Sequence, residues 1–160
     1  MRPTRRPPAA APRLGGDGGQ VGGIEVLPFG VLIFVVGSLL ITNAWGVVDA
    51  EVAADAAAHQ AVRTYVEAPD GAAATSRAQA AAAATLAGYG RRPELMHVRI
   101  ERAGDEPFAR CVPATVEIDY PVPAIRLPWI GGYGHAFDVH ARHTELIDPY
   151  RTGLSGQATC

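Results

Sequence analysis

The chain of 160 residues has no lysine; all 14 of its basic residues are arginine. Alongside abundant alanine, glycine and proline this is compositional bias, and no mechanism follows from it. The formal net charge is −2, which excludes the general basic field that nucleic-acid partners require. Cysteine is scarce. Cys111 and Cys160 are the only two, with neither a CxxC pair nor the spacing of a metal finger. The P-loop, GxSxG and HExxH patterns are missing, so a phosphate cradle, a nucleophile elbow and a zincin helix are excluded. The run GGDGG at Gly15–Gly19 is an isolated glycine cluster with no strand before it. His135, His140 and His143 fall on an extended stretch where His140 points opposite to the other two, so they do not converge on a metal. Glu94, Glu101, Glu117, Asp119 and Asp138 are scattered over outward strand positions and form no acid–base pair. No catalytic site, metal or cofactor is expected.

Against these absences stands one long apolar run, Ile24–Val48 (IEVLPFGVLIFVVGSLLITNAWGVV). Between Val26 and Val48 there is no formal charge, and Ser38, Thr42 and Asn43 are the only residues with polar side chains. A helix of that length spans roughly 34 Å, enough to cross the hydrocarbon core of a bilayer. A small soluble domain rarely holds a helix that is apolar all round. The run predicts a membrane-spanning helix. Glu25 stands at its head. An acid there either marks a functional site or rests at the interface, favoured by the positive end of the helix dipole.

Before the run, residues 1–23 read as a disordered leader, rich in proline and glycine and unable to bury enough apolar surface to fold. Its charges are Arg2, Arg5, Arg6 and Arg13 against Asp17, whereas Asp49, Glu51 and Asp55 follow the run. The positive-inside rule then places the N-terminus in the cytoplasm and the rest outside. Trp45 falls near the outer interface. A cleavable secretory signal competes, with Thr42-Asn43-Ala44 as its small-x-small site. The apolar run is longer than a usual signal core, however, and continues past that site into helix-forming sequence.

Residues 49–68 continue the helix outward. Val48, Val52, His59, Val62 and Val66 share one broad face; the many alanines supply propensity and a thin profile. Arg63 and Glu67 can pair across a turn, and Asp55 and His59 read as a local pair at a solvated edge. Pro69-Asp70-Gly71 ends the helix. A second, alanine-rich helix is expected over Ala72–Ala87, with Thr75 or Ser76 as N-cap. Period-two alternation then predicts three antiparallel strands, Leu95–Ala103, Cys111–Val122 and Gly134–Glu145, solvated on one face. Residues 103–109 form a hairpin loop. In the second strand Val112 to Val122 face inward at even positions; in the third, Phe137, Val139 and Ala141 do. The intervening PVPAIRLPWIGGYG, with three prolines, reads as an extended loop. Its Ile125, Leu127 and Trp129 either form a contact surface or close the end of a small core. The fold class is therefore α+β: a long membrane-spanning helix, a short alanine-rich helix and a small antiparallel sheet, with residues 69–153 as the extracytoplasmic domain and 154–160 as a tail. An outside domain permits a Cys111–Cys160 disulfide; intermolecular pairing is the rival.

The order of these parts resembles the type IV pilin class, and more closely the TadE-like minor pseudopilins of tight-adherence pilus systems. The resemblance is carried by Gly19 through Glu25 into VLPFGVLIFVVGSLLITNAWGVVDAEVAADAAAHQAVRTYVEA, and by VHARHTELIDPYRTG at Val139–Gly153. It implies a pilin-like fold, membrane residence or incorporation into a pilus, and a role in pilus assembly with other pilin-like subunits and the assembly platform. In that family a prepilin peptidase cuts after a glycine, and a glutamate at the fifth mature position neutralises the new N-terminus of a neighbouring subunit. Glu25 matches that acid and would set subunit register. The cleavage site departs from the pattern: the residue that should be the glycine is Gln20, and a cut after Gly19 would leave Glu25 sixth. An uncut, membrane-anchored assembly factor is the alternative within the family. Outside it, the rival is a secreted or anchored envelope-binding domain.

Overall fold

The structure is a computed structural model that describes residues 26–102, 107–127, 131–157 and 159–160. The elements in order are α1 (Val26–Val66), α2 (Gly71–Gly88), a 3-10 turn (Pro93–Leu95), β1 (His97–Arg102), β2 (Pro113–Leu127) and β3 (Gly131–Leu146). The chain is α+β, as expected, with the order β1–β2–β3 in an antiparallel sheet. It divides into two compact units, Met1–Ser38 and Leu39–Cys160. The described part of the first is apolar helix with its large side chains exposed.

The second unit holds the core. From Ala50 onward α1 buries Ala50, Ala53, Ala54, Ala57, Ala58 and Ala61 at 0% exposure, followed by Val62, Tyr65 and Val66. These steps of three and four trace one helical face. It matches the face predicted from the valines and His59 only at Val62 and Val66. Val48 and Val52 are half exposed and His59 is exposed; the core face is the alanine face, because small side chains let the helix backbone approach its neighbours. Overpacking a close-packed position is destabilising, so from Ala50 to Ala61 the buried positions are all alanine, and bulk enters the core only at Val62, Tyr65 and Val66. α2 repeats the device with Ala74, Ala78, Ala82 and Leu86. The same cluster takes in the even-numbered face of β2, Ala114 to Val122, with Val139, Ala141 and Ile147, and Val98 and Ile100 pack against it.

Several boundaries differ from those expected. Asp70, not Thr75 or Ser76, caps α2: it is extended (φ −154°, ψ 168°) and its Oδ1 accepts from Ala73 N at 2.8 Å. The residue that ends one helix thus starts the next, satisfying a donor otherwise orphaned at the helix N-terminus. β1 is shorter than expected, because Pro93–Leu95 turns as a 3-10 helix. Residues 121–127 and 131–134 of the proline-rich stretch are strand rather than loop. β2 continues through Leu127 and pairs with β3 from Gly131, with a register shift at Val122/Pro123. Pro121 and Pro123 are tolerated because β1 pairs only with Ala114–Asp119. Among the described residues β2 beyond Asp119 has a neighbour on one side alone, so a missing N–H need not face a strand. Phe137, expected inward, is 58% exposed in this extension beyond β1.

Candidate functional site

Within α1, Phe29, Leu32, Ile33, Phe34, Leu40, Ile41 and Trp45 are all exposed, Phe34 and Trp45 by 74% and 73%. No part of the most apolar 18-residue window is buried. Single apolar side chains on a surface are ordinary, but a contiguous band around a helix is not stable against water. A core helix of a soluble domain would bury that window, and this one does not. Among the described residues this is the one helix long and apolar enough to cross a membrane, and it fits a single span. Asn43 turns its polarity inward along the helix, its side-chain amide donating to Leu39 O at 2.8 Å.

Just beyond Trp45 the helix is held by a buried cation. Arg91 follows α2, and its side chain is 4% exposed. Its Nη2 donates to Gly46 O at 2.9 Å and to Asp49 Oδ2 at 2.6 Å. Asp49 itself is 49% exposed. The asymmetry has a consequence, since a buried charge that loses its partner is costly. Asp49→Ala leaves Arg91 with a carbonyl alone, and because the carboxylate is half solvated the expected loss is about 1–3 kcal/mol. Urea unfolding of the full chain in detergent measures it. Arg91→Met, which removes the buried charge with its partner left in water, is expected to cost less.

Further along, α1 lies against β3. His143 Nε2 meets Asp55 Oδ1 at 2.7 Å, and His59 Nε2 lies 3.8 Å from Glu145 Oε1. The two imidazoles meet edge to face at 5.4 Å. Asp55 and His59 are therefore not a local helical pair; each looks across to the sheet. Arg63 and Glu67 do pair on the helix, at 3.1 Å. At the end of α1, Arg151 donates to Val66 O and to Glu67 O, the latter at 2.7 Å. A cation there satisfies carbonyls that have no partner within the helix.

The other sheet face carries an ion network. Arg99 reaches Glu117 at 3.5 Å and Asp119 at 3.0 Å, Arg142 reaches Glu117 at 3.3 Å, and His140 meets Asp119 at 2.5 Å. Thr115, expected outward, is buried on this face and shares a hydrogen bond with Thr144 at 2.8 Å.

Cys111 and Cys160 are joined as a disulfide with Cα atoms 5.5 Å apart. The C-terminal segment is thereby strapped to the start of the sheet. Arg110 N donates to Ser155 O at 2.8 Å, Arg110 Nη2 to Gly156 O at 2.7 Å and Cys111 N to Ile147 O at 2.9 Å. A Cβ on Gly156 would lie 2.8 Å from Arg110 O, and its φ is +104°. Only glycine fits so close an approach.

Of the candidate residues read from sequence, Cys111 and Cys160 are brought together, in the intramolecular alternative. Glu25, Gly19 and Gln20 lie outside the described residues, as do Trp129 and the leader. Ile125 and Leu127 belong to β2, paired with Tyr133 and Gly131. Among the described residues no group of three or more His, Cys, Asp or Glu is placed to hold a metal ion. No sequence pattern marks Arg91 or Arg151 as a contact residue. Each lies beside a helix end or turn, Arg91 with Arg92 next to it, a pattern shared with any surface arginine. Neither a protein-family model, nor a curated protein, nor a solved structure matches the chain.

Proposed function

We propose that the chain is a membrane-anchored minor pilin-like protein acting in assembly of a tight-adherence type pilus, a structural rather than catalytic part. The observation that carries this is α1. One uninterrupted helix is exposed and apolar over its first half and, from Ala50, is the alanine-faced spine of a small α+β domain. That continuity of helix suits a membrane-anchored subunit, and it disfavours a signal cut before Trp45, which would leave the Arg91 contacts at Gly46 and Asp49 on a frayed end. The TadE-like pattern of the sequence supplies the family. The disulfide supports an oxidising compartment for the domain, in keeping with arginines before the span and acids after it. The partners are the bilayer, other pilin-like subunits, the assembly platform and a prepilin peptidase.

Glu25 is the residue assigned to subunit register. A carboxylate carried into an apolar bundle is strongly disfavoured unless a cation meets it. Glu25→Ala is therefore expected to leave membrane insertion and circular dichroism unchanged while abolishing pilus formation and partner co-purification. Normal piliation in that variant would sink the assignment.

A further inference from the structure

The order β1–β2–β3 leaves β3 at the edge of the sheet. β2 takes one side of it, and among the described residues no strand pairs with the other. A free edge offers its N–H and C=O groups to any extended chain, and proteins commonly defend such edges with proline, shortness or cover. The defended edges here are the others. β1 has 6 residues. The free side of β2 beyond Asp119 carries Pro121 and Pro123, which cannot donate to an added strand. β3 has 16 residues and no proline.

Beside β3 runs α1. Asp55 meets His143, and His59 faces Glu145, so helix and strand advance in the same direction. An open groove of about 680 Å³ is bordered by Glu51, Val52, Asp55 and Ala56 of α1 and by Asp138–Ala141 of β3. Four consecutive strand residues border it. Alternate side chains point to opposite faces, so the groove meets the edge of β3 rather than one face. Val52 gives it an apolar patch, half exposed. Glu51, Asp55 and Asp138 make its rim acidic, and Glu51 is exposed without an ion pair among the described residues.

We propose that this groove receives an extended segment of another protein, which adds to β3 as a fourth strand and sets basic side chains against Glu51 and Asp55. Main-chain bonds along an open edge supply affinity in such pairing, and alternate side chains supply selection. The acidic rim selects for arginine or lysine. It also disfavours a second copy of this chain: two-fold pairing of β3 with itself would run the two α1 helices antiparallel and bring two acidic rims together. The proposal needs only the second unit and does not depend on the pilus role.

The test uses the full chain in detergent micelles with two short synthetic peptides, one alternating Arg and Val, the other alternating Glu and Val. The Arg/Val peptide is expected to slow amide hydrogen exchange at Asp138–Ala141 and to bind about tenfold more tightly than the Glu/Val peptide or more, the scale set by like-charge rejection. Glu51→Arg, at an exposed position, is expected to weaken Arg/Val binding by about tenfold, and Glu51→Gln by less. Equal affinity for both peptides would overturn the proposal, as would binding that leaves exchange in β3 unchanged. Self-association that protects β3 in the absence of peptide would replace it with a homodimer.

Discussion

Replacing Cys111 and Cys160 together with serine is expected to lower the unfolding free energy by about 4 kcal/mol. The bond closes a sequence separation of 49 residues, and the unfolded chain without it gains the corresponding freedom. Marginal domains hold only about 5–15 kcal/mol in all, so the variant sits near its threshold. The loss should propagate along the strap. With the C-terminal segment freed, Arg151 no longer stays at Val66 O and Glu67 O, and the end of α1 loses its cation. Hydrogen exchange should then quicken at Val66–Ala68 before it quickens in β2. Denaturant midpoints of the oxidised and serine forms give the magnitude. Equal stability, or free thiols in the native protein, would remove the bond from the fold.

Tyr65→Ala is expected to cost about 3–5 kcal/mol, the range for deleting a large buried aromatic side chain. Tyr65 is wholly buried near the end of α1. Its ring meets Phe108 edge-on at 5.6 Å, and its hydroxyl accepts from Arg102 Nη1 at 3.1 Å. One side chain thus ties the helix to the loop before β2 and to the end of β1. Tyr65→Phe removes the hydroxyl alone and should cost about 1 kcal/mol. The difference between the two variants isolates packing from the hydrogen bond. A Tyr65→Ala chain as stable as the parent would mean that α1 is not the spine of the core.

The parts that were legible in sequence are those with a strong period or an unusual composition. The helix of the apolar run, the alternation of Val112 to Val122 and the Pro69-Asp70-Gly71 break are of this kind. The misreadings share a cause. Val48 and Val52 read as core by their size, yet from Ala50 to Ala61 the close-packed helix buries alanine, and valine enters the core only at Val62 and Val66. Asp55 and His59 satisfy the i,i+4 rule so well that the chain gives no sign of His143 and Glu145, more than eighty residues on. The proline-rich extension of β2 reads as loop because proline is judged against a central strand, and sequence does not say that β1 begins only at His97, opposite Asp119. Arg91 and Arg151 were invisible for a similar reason: what sets them apart is where their side chains end.

The most direct measurement is the intact mass and N-terminal sequence of the protein purified from membranes of its own host. The expected result is a chain that retains Val26–Val48 in one piece with the disulfide-bonded domain. A start at Gln20 would add prepilin-peptidase processing, and the full chain would indicate an uncut anchor. A start at Trp45 would contradict the central claim, since the anchor would then be a discarded signal and α1 a helix of the domain alone.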